Sequence, residues 1–439
     1  MTNEEAATLL LRTALKLKDD RHLLAAYTAA RRAAGLLPKA VYPKGVTGAI
    51  LWNLERFEEG AALLKECTEL EPTNHEWWGH LALCYSGMRE DEKATAAYEK
   101  AISIKPDDLA LKWNRAQFLL AKGDWLPGWE DYEARIEYRG SPAYMKLPVP
   151  TWNGEDLTGK TLVVVGEQGV GDTILSSRYL ALIRERHPTC KLTWIVQPRL
   201  HDLFWEFRHE LVDEYVPSGY PWPALKADYA IYQMSLPKIF GTTLETVPAD
   251  PGLIRKRMMM QADTVRLPEP HSSSLRIGIC WTGNVAMLAN DVRSVPLEAL
   301  LPLAEDPRFT FYSMQVGEGS HHLHIGGAAE LIKDCSVDLE KAGFTGTAAL
   351  MGSLDLVVTV CTSTAHLAGA LGVPCLTMLA HDCYWVWGRE GDSTPWYPGM
   401  RLFRQRVPGE WGPVVEDIRN VLDQFWKERQ PLTLDVAAA

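Results

Sequence analysis

Over the first third of the chain, small and bulky apolar positions recur with one fixed step. Pro38, Pro72 and Pro106 are 34 residues apart, as are Ala26, Gly60, Ala94 and Gly128, and Ala33, Cys67 and Ala101. Leu64, Tyr98 and Tyr132 follow the same step with large side chains. The pattern predicts antiparallel helix pairs: small residues let two helices approach, large ones fill the gaps between neighbours, and each Pro ends the second helix of a pair. Four units are expected, at 7–40, 41–74, 75–108 and 109–142, with the first and last atypical. After a break over 141–160, rich in Pro and Gly, the texture changes to short apolar runs alternating with helical stretches. Strands are expected at 161–165, 192–196, 211–216 and 229–232, with a helix over 173–186. The pattern restarts with strands at 276–281, 309–314, 356–360 and 375–379 and helices at 297–305, 364–371 and 413–427. Residues 252–274 read as the connection.

A step of 34 residues with these residue types is the signature of tetratricopeptide repeats, whose concave face binds peptides or whose bulk packs as a scaffold. The expected fold class is therefore α plus α/β: repeats over 1–142, then two Rossmann-like α/β domains at 143–265 and 266–439. Such sheets bind ligands at the C-terminal ends of their strands.

Composition narrows the function classes. The 439 residues carry a formal net charge of -11, which argues against a nucleic-acid partner. The eight cysteines are scattered with no C-x-x-C pair, so they read as reduced thiols of a cytoplasmic protein. No basic segment precedes an apolar run at the start, and no run is long enough to cross a membrane. No D-x-D pair occurs, so no metal-bridged diphosphate is expected. His321, His322 and His324 sit close enough to attract a metal ion, but such a group in a loop is more often incidental, and no metal site is assigned.

The sharpest motif is Gly166-Glu167-Gln168-Gly169-Val170-Gly171-Asp172-Thr173, between a predicted strand and a predicted helix. Its glycines, Gly169 and Gly171 around Gln168, permit tight turns and close approach to backbone. It lacks the Lys-Ser/Thr pair of a Walker A loop and the spacing of a dinucleotide fingerprint. Asp172, at the expected first turn of the helix, is of a type favoured as an N-cap.

Together with Pro150-x-Trp152-x-Gly154, Leu157-x-Gly159 and Arg178-Tyr179, this loop resembles bacterial tetratricopeptide-containing glycosyltransferases related to the heptosyltransferases. The likeness continues through Trp281-x-Gly283-Asn284 and Asn290-Asp291-x-Arg293-Ser294-x-Pro296-Leu297. It runs on through Asp355-Leu356-Val357-Val358, Thr362-x-x-x-His366-Leu367-Ala368-Gly369-Ala370-Leu371-Gly372 and the segment Pro395 to Gln405. It spans about residues 40–425 and implies the two-domain GT-B architecture. It also implies roles. Asp172 matches the acid that takes the acceptor's proton. Arg293 matches a cation at the donor's phosphates, the alternative being an exposed salt bridge. Thr282, Gly283 and Asn284 form a turn near the donor. Thr362, Ser363 and Thr364 meet the diphosphate or merely cap a helix, and His366 contacts the donor or is a core histidine. The sequence departs from the relatives at Cys361, where they carry an Asp expected to hold sugar hydroxyls. It departs again at Ala286–Ala289, where they tend to be polar and basic. Trp385 and Trp387 stack on a base or sugar, or pack in the core.

The resulting expectation is an inverting, metal-independent transfer of sugar from a nucleoside diphosphate sugar, used as substrate, with no cofactor. A protein or peptide acceptor would be recruited by the repeats. The alternative is a catalytically inactive scaffold that keeps the fold, which Cys361 favours. Transfer to modified DNA is disfavoured by the acidic charge.

Overall fold

A computed structural model describes residues 1–138, 146–167, 169–219, 226–250, 252, 254–255, 268, 274–285, 287 and 290–428. The chain divides into two compact units, Met1–Arg139 and Gly140–Ala439. Among the described residues, no helix is long and apolar enough to cross a membrane. All eight cysteines are free.

The first unit is a helical array: α1 (Asn3–Asp19), α2 (Leu23–Leu36), α3 (Val41–Asn53), α4 (Phe57–Leu70), α5 (His75–Gly87), α6 (Asp91–Ile104), α7 (Leu109–Lys122), α8 (Trp125–Tyr132) and α9 (Ala134–Tyr138). The small residues of the repeat do what their size predicts. A Cβ on Gly45 would lie 2.4 Å from the Trp77 ring, one on Gly79 2.4 Å from Leu111, and one on Gly87 2.6 Å from Phe57. Pro38, Pro72 and Pro106 each fall two residues beyond a helix end. The same period reappears in the backbone. Arg21, Glu55, Arg89 and Gly123, each 34 residues on, adopt positive φ of 64°, 56°, 62° and 101° in the turn joining the two helices of a pair. Only the last is glycine, so packing of the pair overrides a local preference worth about 1–2 kcal/mol. The first pair keeps this turn although its early signature is missing. It begins at Asn3, where Thr2 and Glu5 form a capping box.

The second unit contains two all-parallel sheets. In the first half, β1 (Thr161–Val165), β2 (Lys191–Val196), β3 (Glu214–Pro217) and β4 (Tyr229–Tyr232) lie in the order β3-β2-β1-β4. In the second half, β5 (Leu275–Cys280), β6 (Phe309–Ser313), β7 (Ile332–Asp334), β8 (Leu356–Val360), β9 (Cys375–Leu379) and β10 (Met400–Arg404) lie in the order β10-β9-β8-β5-β6-β7. Every residue of β6, β8 and β9 is buried. That burial is why these strands carry no charged residue, although Thr310, Ser313, Thr359 and Thr377 lie buried among their apolar positions. The expected strand at 211–216 begins instead at Glu214, because Arg208–Leu211 closes a turn of helix first. β7 and β10 were not expected from the pattern: one is only three residues long, and the other carries Arg at two of its five positions.

The helices that concern the site are α10 (Val170–Ser176), α11 (Arg178–Arg186), α12 (Pro198–Phe204), α13 (Leu297–Ala304), α14 (Ser336–Met351, broken at Gly343, φ 59°), α15 (Ser363–Leu371) and α16 (Gly412–Glu428). α13 and α16 cover one face of the second sheet with Leu300, Ile418 and Leu422. The single helix expected over 173–186 is two. Ser176 and Ser177 donate their hydroxyls to the carbonyls of Asp172 (2.5 Å) and Ile174 (2.8 Å), and the Arg178 guanidinium takes that of Leu175 (2.8 Å). Side chains that compete for helical carbonyls in this way bend or end a helix.

Each sheet has one place where the strand order reverses: between β1 and β4 in the first half, and between β5 and β8 in the second. Crevices outside the strand ends at such points are where open α/β sheets bind ligands. The loops that follow β1, β5 and β8 are the three loops that carry the sequence motifs. The boundary expected at 265/266 lies outside the described residues.

Candidate active site

The loop after β1 is held by both of its neighbours. The Gly166 N–H donates to the Ile195 carbonyl at 2.7 Å, and a Cβ there would lie 2.9 Å from that oxygen. Glu167 is buried, and its carboxylate accepts the Met234 N–H at 2.8 Å. Gln197, at the end of β2, donates its amide to the Glu167 carbonyl and to the Thr173 hydroxyl (2.8 Å). The two other glycines are required by their neighbours. A Cβ on Gly169 would lie 2.1 Å from Oδ2 of Asp172, and one on Gly171 would lie 2.5 Å from the His366 ring. Gln168 lies outside the described residues. Gly169, and not Asp172, is the cap of α10. Asp172 sits in the first turn, where a negative charge is favoured. Its side chain folds back over Gly169 on one oxygen, while the other accepts the Tyr384 hydroxyl from the second half at 3.0 Å.

The loop after β5 forms a small hydrogen-bonded cradle. Thr282 is buried. Its N–H donates to Gln315 Oε1 (3.1 Å), and its hydroxyl is shared between Ser294 (2.7 Å) and the Asn290 amide (2.9 Å). Thr282 therefore builds the turn, while Asn284 stands exposed beside it. The Gly283 N–H donates to Asn290 Oδ1 at 3.1 Å, and a Cβ there would lie 2.2 Å from the Arg293 guanidinium. Arg293 is half-buried. It donates to Asn290 Oδ1 (3.2 Å), to the Cys361 carbonyl (3.1 Å) and to the Met287 sulfur (3.3 Å). Among the described residues no carboxylate pairs with it, so the salt-bridge alternative finds no partner there. Of the departure at 286–289, Ala286, Leu288 and Ala289 lie outside the described residues.

After β8, Thr362 caps α15 by accepting the Thr364 N–H at 3.2 Å. Ser363 is half-buried at the helix start. Thr364 is buried, with its hydroxyl directed at the Cys280 sulfur (3.9 Å). Capping thus occupies Thr362, and the carbonyl of Cys361 just before it accepts from Arg293 (3.1 Å). Cys361 feels charges from both halves. Burial pushes its thiol up to about 11, the Trp387 N–H and the Arg293 charge pull it down, and Cys383 and the Asp172 carboxylate raise it. It stands as a neutral thiol accepting the Trp387 indole N–H at 3.0 Å.

His366 is placed behind the crevice. It is buried against Gly171, shares a hydrogen bond with the Tyr397 hydroxyl (3.1 Å) and packs tilted against the Trp387 ring (centroids 5.1 Å apart). Burial, helped by the Arg178 charge, lowers its pKa to about 3. Trp385 and Trp387 are both buried, so they wall the site and offer no face for a base or sugar to stack on. His321, His322 and His324 diverge: the Trp281 indole N–H donates to His322 (3.3 Å), and His324 pairs with Asp334 (3.2 Å). Among the described residues no group of three or more His, Cys, Asp or Glu side chains could hold a metal ion.

The buried neutral imidazole carries a pH consequence. Between about pH 6.5 and 3 the unfolded chain binds a proton at His366 that the folded chain refuses. Stability therefore falls as pH falls through that window, by up to about 1.4 kcal/mol per pH unit. Urea midpoints measured from pH 7 to 4.5 are expected to drop less steeply in His366→Gln than in the wild type. Parallel slopes would contradict a neutral His366.

The halves are pinned behind the site by Arg178, whose side chain is 1% exposed. From α11 it donates to the carbonyls of Pro248 (2.9 Å) and Trp396 (3.1 Å), faces Asp250 at 3.8 Å, and lies over the Trp396 and Tyr397 rings. Arg178-Tyr179 belongs to the sequence motifs, but nothing in them assigned Arg178 this role. Nothing in the sequence announced Tyr384 or Gln315, since each works through a partner distant in the chain.

Residues 76–108 match the tetratricopeptide repeat family. The chain is 26% identical over 419 residues to Protein FlbA of Caulobacter vibrioides, an alignment covering 90% of this chain and 69% of that one. Among solved structures, it is similar to a glycosyl transferase family 9 protein from Veillonella parvula (13% identity, 63% of this chain and 100% of that one, TM-score 0.45). It is also similar to ADP-heptose LPS heptosyltransferase II of E. coli (14% identity, 60% and 99%, TM-score 0.42).

Proposed function

We propose that the second unit is a glycosyltransferase of the GT-B kind, moving a sugar from a nucleoside diphosphate sugar to an acceptor hydroxyl. One observation carries this reading. A carboxylate from the first half and a cation from the second stand on loops at the switch points of two parallel sheets, Arg293 donating to the Cys361 carbonyl (3.1 Å) and the Asp172 charge acting on the thiol of the same residue. Asp172 accepts the proton of the acceptor hydroxyl as its oxygen bonds to the anomeric carbon. The bond from that carbon to the phosphate oxygen breaks on the opposite side, which inverts the centre. The leaving nucleoside diphosphate gains negative charge. Arg293 and the N–H groups opening α15 are the groups that would meet it. The Met287 sulfur is a weak acceptor that a phosphate oxygen displaces readily from the Arg293 fork. No metal is assigned a step. The repeats would bring a protein or peptide acceptor.

The competing reading is a scaffold that keeps the fold without the reaction. It is favoured by Cys361, a neutral thiol already engaged by Trp387, where an acid would hold sugar hydroxyls. Calorimetry against a panel of nucleoside diphosphates, beside transfer of labelled sugars, separates the two. The wild type is expected to bind one of the panel, and Arg293→Ala to bind it roughly 10–100-fold more weakly, as befits a hydrogen bond to a charged group. Indifference of the wild type to the whole panel would establish the scaffold instead.

A further inference from the structure

We propose that Tyr384 is the positioning residue of the Asp172 carboxylate, holding it from across the crevice in the orientation that general-base catalysis needs; this rests on the transferase reading above. The hydroxyl of Tyr384 donates to Asp172 Oδ1 at 3.0 Å, and the two residues are 212 positions apart in the chain. With Oδ2 turned over Gly169, that bond fixes the carboxylate plane and keeps Oδ1 on the side of the second half.

The loop bearing Tyr384 is tied down at several points. Its ring packs on Trp385 at 5.3 Å, and the following turn, Trp385–Trp387, is buried. Arg404, at the end of β10, donates to the carbonyls of Gly388 (3.1 Å), Gly391 (3.1 Å) and Trp387 and to the Cys383 sulfur (3.2 Å). A hydroxyl on such a loop is preorganised, so aiming it at the carboxylate costs little entropy.

Among the described residues, several titratable groups near Asp172 have partners of their own. Glu167 is turned onto the Met234 N–H, and Arg178 is turned onto Pro248 and Trp396. His366 lies under Gly171 as a neutral ring. The buried Cys361 thiol and Tyr397 hydroxyl both feel the Asp172 charge and are pushed up by burial. Arg293 reaches this group only as far as the Cys361 carbonyl.

The test is Tyr384→Phe. A hydrogen bond donated to a carboxylate favours its charged form, so losing it raises the Asp172 pKa. The acid limb of the kcat–pH profile is expected to move up by about one pH unit. At its plateau, kcat is expected to fall about tenfold with little change in the donor KM. In an Asp172→Asn background the Tyr384→Phe change should cost nothing more. A second readout does not depend on activity: the carboxyl carbon resonance of Asp172, assigned by its loss in Asp172→Asn and titrated in wild type and Tyr384→Phe. An unmoved acid limb together with an unmoved carboxyl titration overturns the proposal. A wild type inert toward every donor sinks the transferase reading instead, and the titration alone then decides whether Tyr384 holds Asp172.

Discussion

Asp172→Asn is expected to slow sugar transfer by roughly 10²–10⁴-fold, the range lost when a positioned general base is removed. The substitution preserves size, and the amide oxygen can still accept the Tyr384 hydroxyl. The fold and the packing of α10 on α15 should therefore stay as they are. What disappears is the group able to take the acceptor's proton as its oxygen bonds to the anomeric carbon. Initial rates with a labelled nucleotide sugar measure the effect, with nucleoside diphosphate affinity as the control. Donor affinity should hold, because Arg293 and the start of α15 are untouched. Equal transfer rates in variant and wild type would remove the base from Asp172.

Arg178→Ala is expected to destabilise the second unit by about 3–5 kcal/mol, the cost of removing one partner of a buried, hydrogen-bonded charge. Three carbonyls, of Leu175, Pro248 and Trp396, lose their donor together. Asp250, whose carboxyl burial already pushes up, loses the cation that pulls it down. The rings of Trp396 and Tyr397 lose the guanidinium packed on them. Chemical unfolding followed by tryptophan fluorescence checks the size of the loss. Arg178→Met, which restores volume without charge, separates packing from electrostatics: recovery of most of the stability would show that packing dominates. Because the same residue ties α11 to the segment beneath His366 and Tyr397, transfer should fall along with stability.

Much of the architecture was legible because its signals are local. The 34-residue step is written in residues that touch within a pair or its neighbour, such as Gly45 against Trp77 and Gly60 against Gly48 and Cys84. The strands β1, β4, β8 and β9 begin and end where the apolar runs do, because burial on both faces demands it. The glycine loop was legible as a tight turn, and the reason for each glycine lies in atoms close at hand, with one exception. Gly171 is required by His366, which belongs to the other half. The break of the 173–186 helix was missed because Ser176, Ser177 and Arg178 act through their choice of carbonyls, which helical periodicity does not record.

By itself, the chain's pattern determined a repeat array, two parallel sheets, and three loops at strand ends carrying Asp172, Arg293 and Thr362. These follow from side-chain size and polarity at fixed short spacings, which set helix, strand and turn wherever the chain goes. Only the tertiary structure decided which of those residues meet. Tyr384 reaches Asp172, Arg293 takes the carbonyl of Cys361, and Arg178 fastens Trp396, over separations of 212, 68 and 218 residues. The first and last of these pairings depend on how the two halves meet and the second on which strands are neighbours in one sheet, and no local period encodes either. For the same reason His366 turned out to be a buried wall behind the crevice, neutral because the packed interior gives an imidazolium no water and places the Arg178 charge beside it.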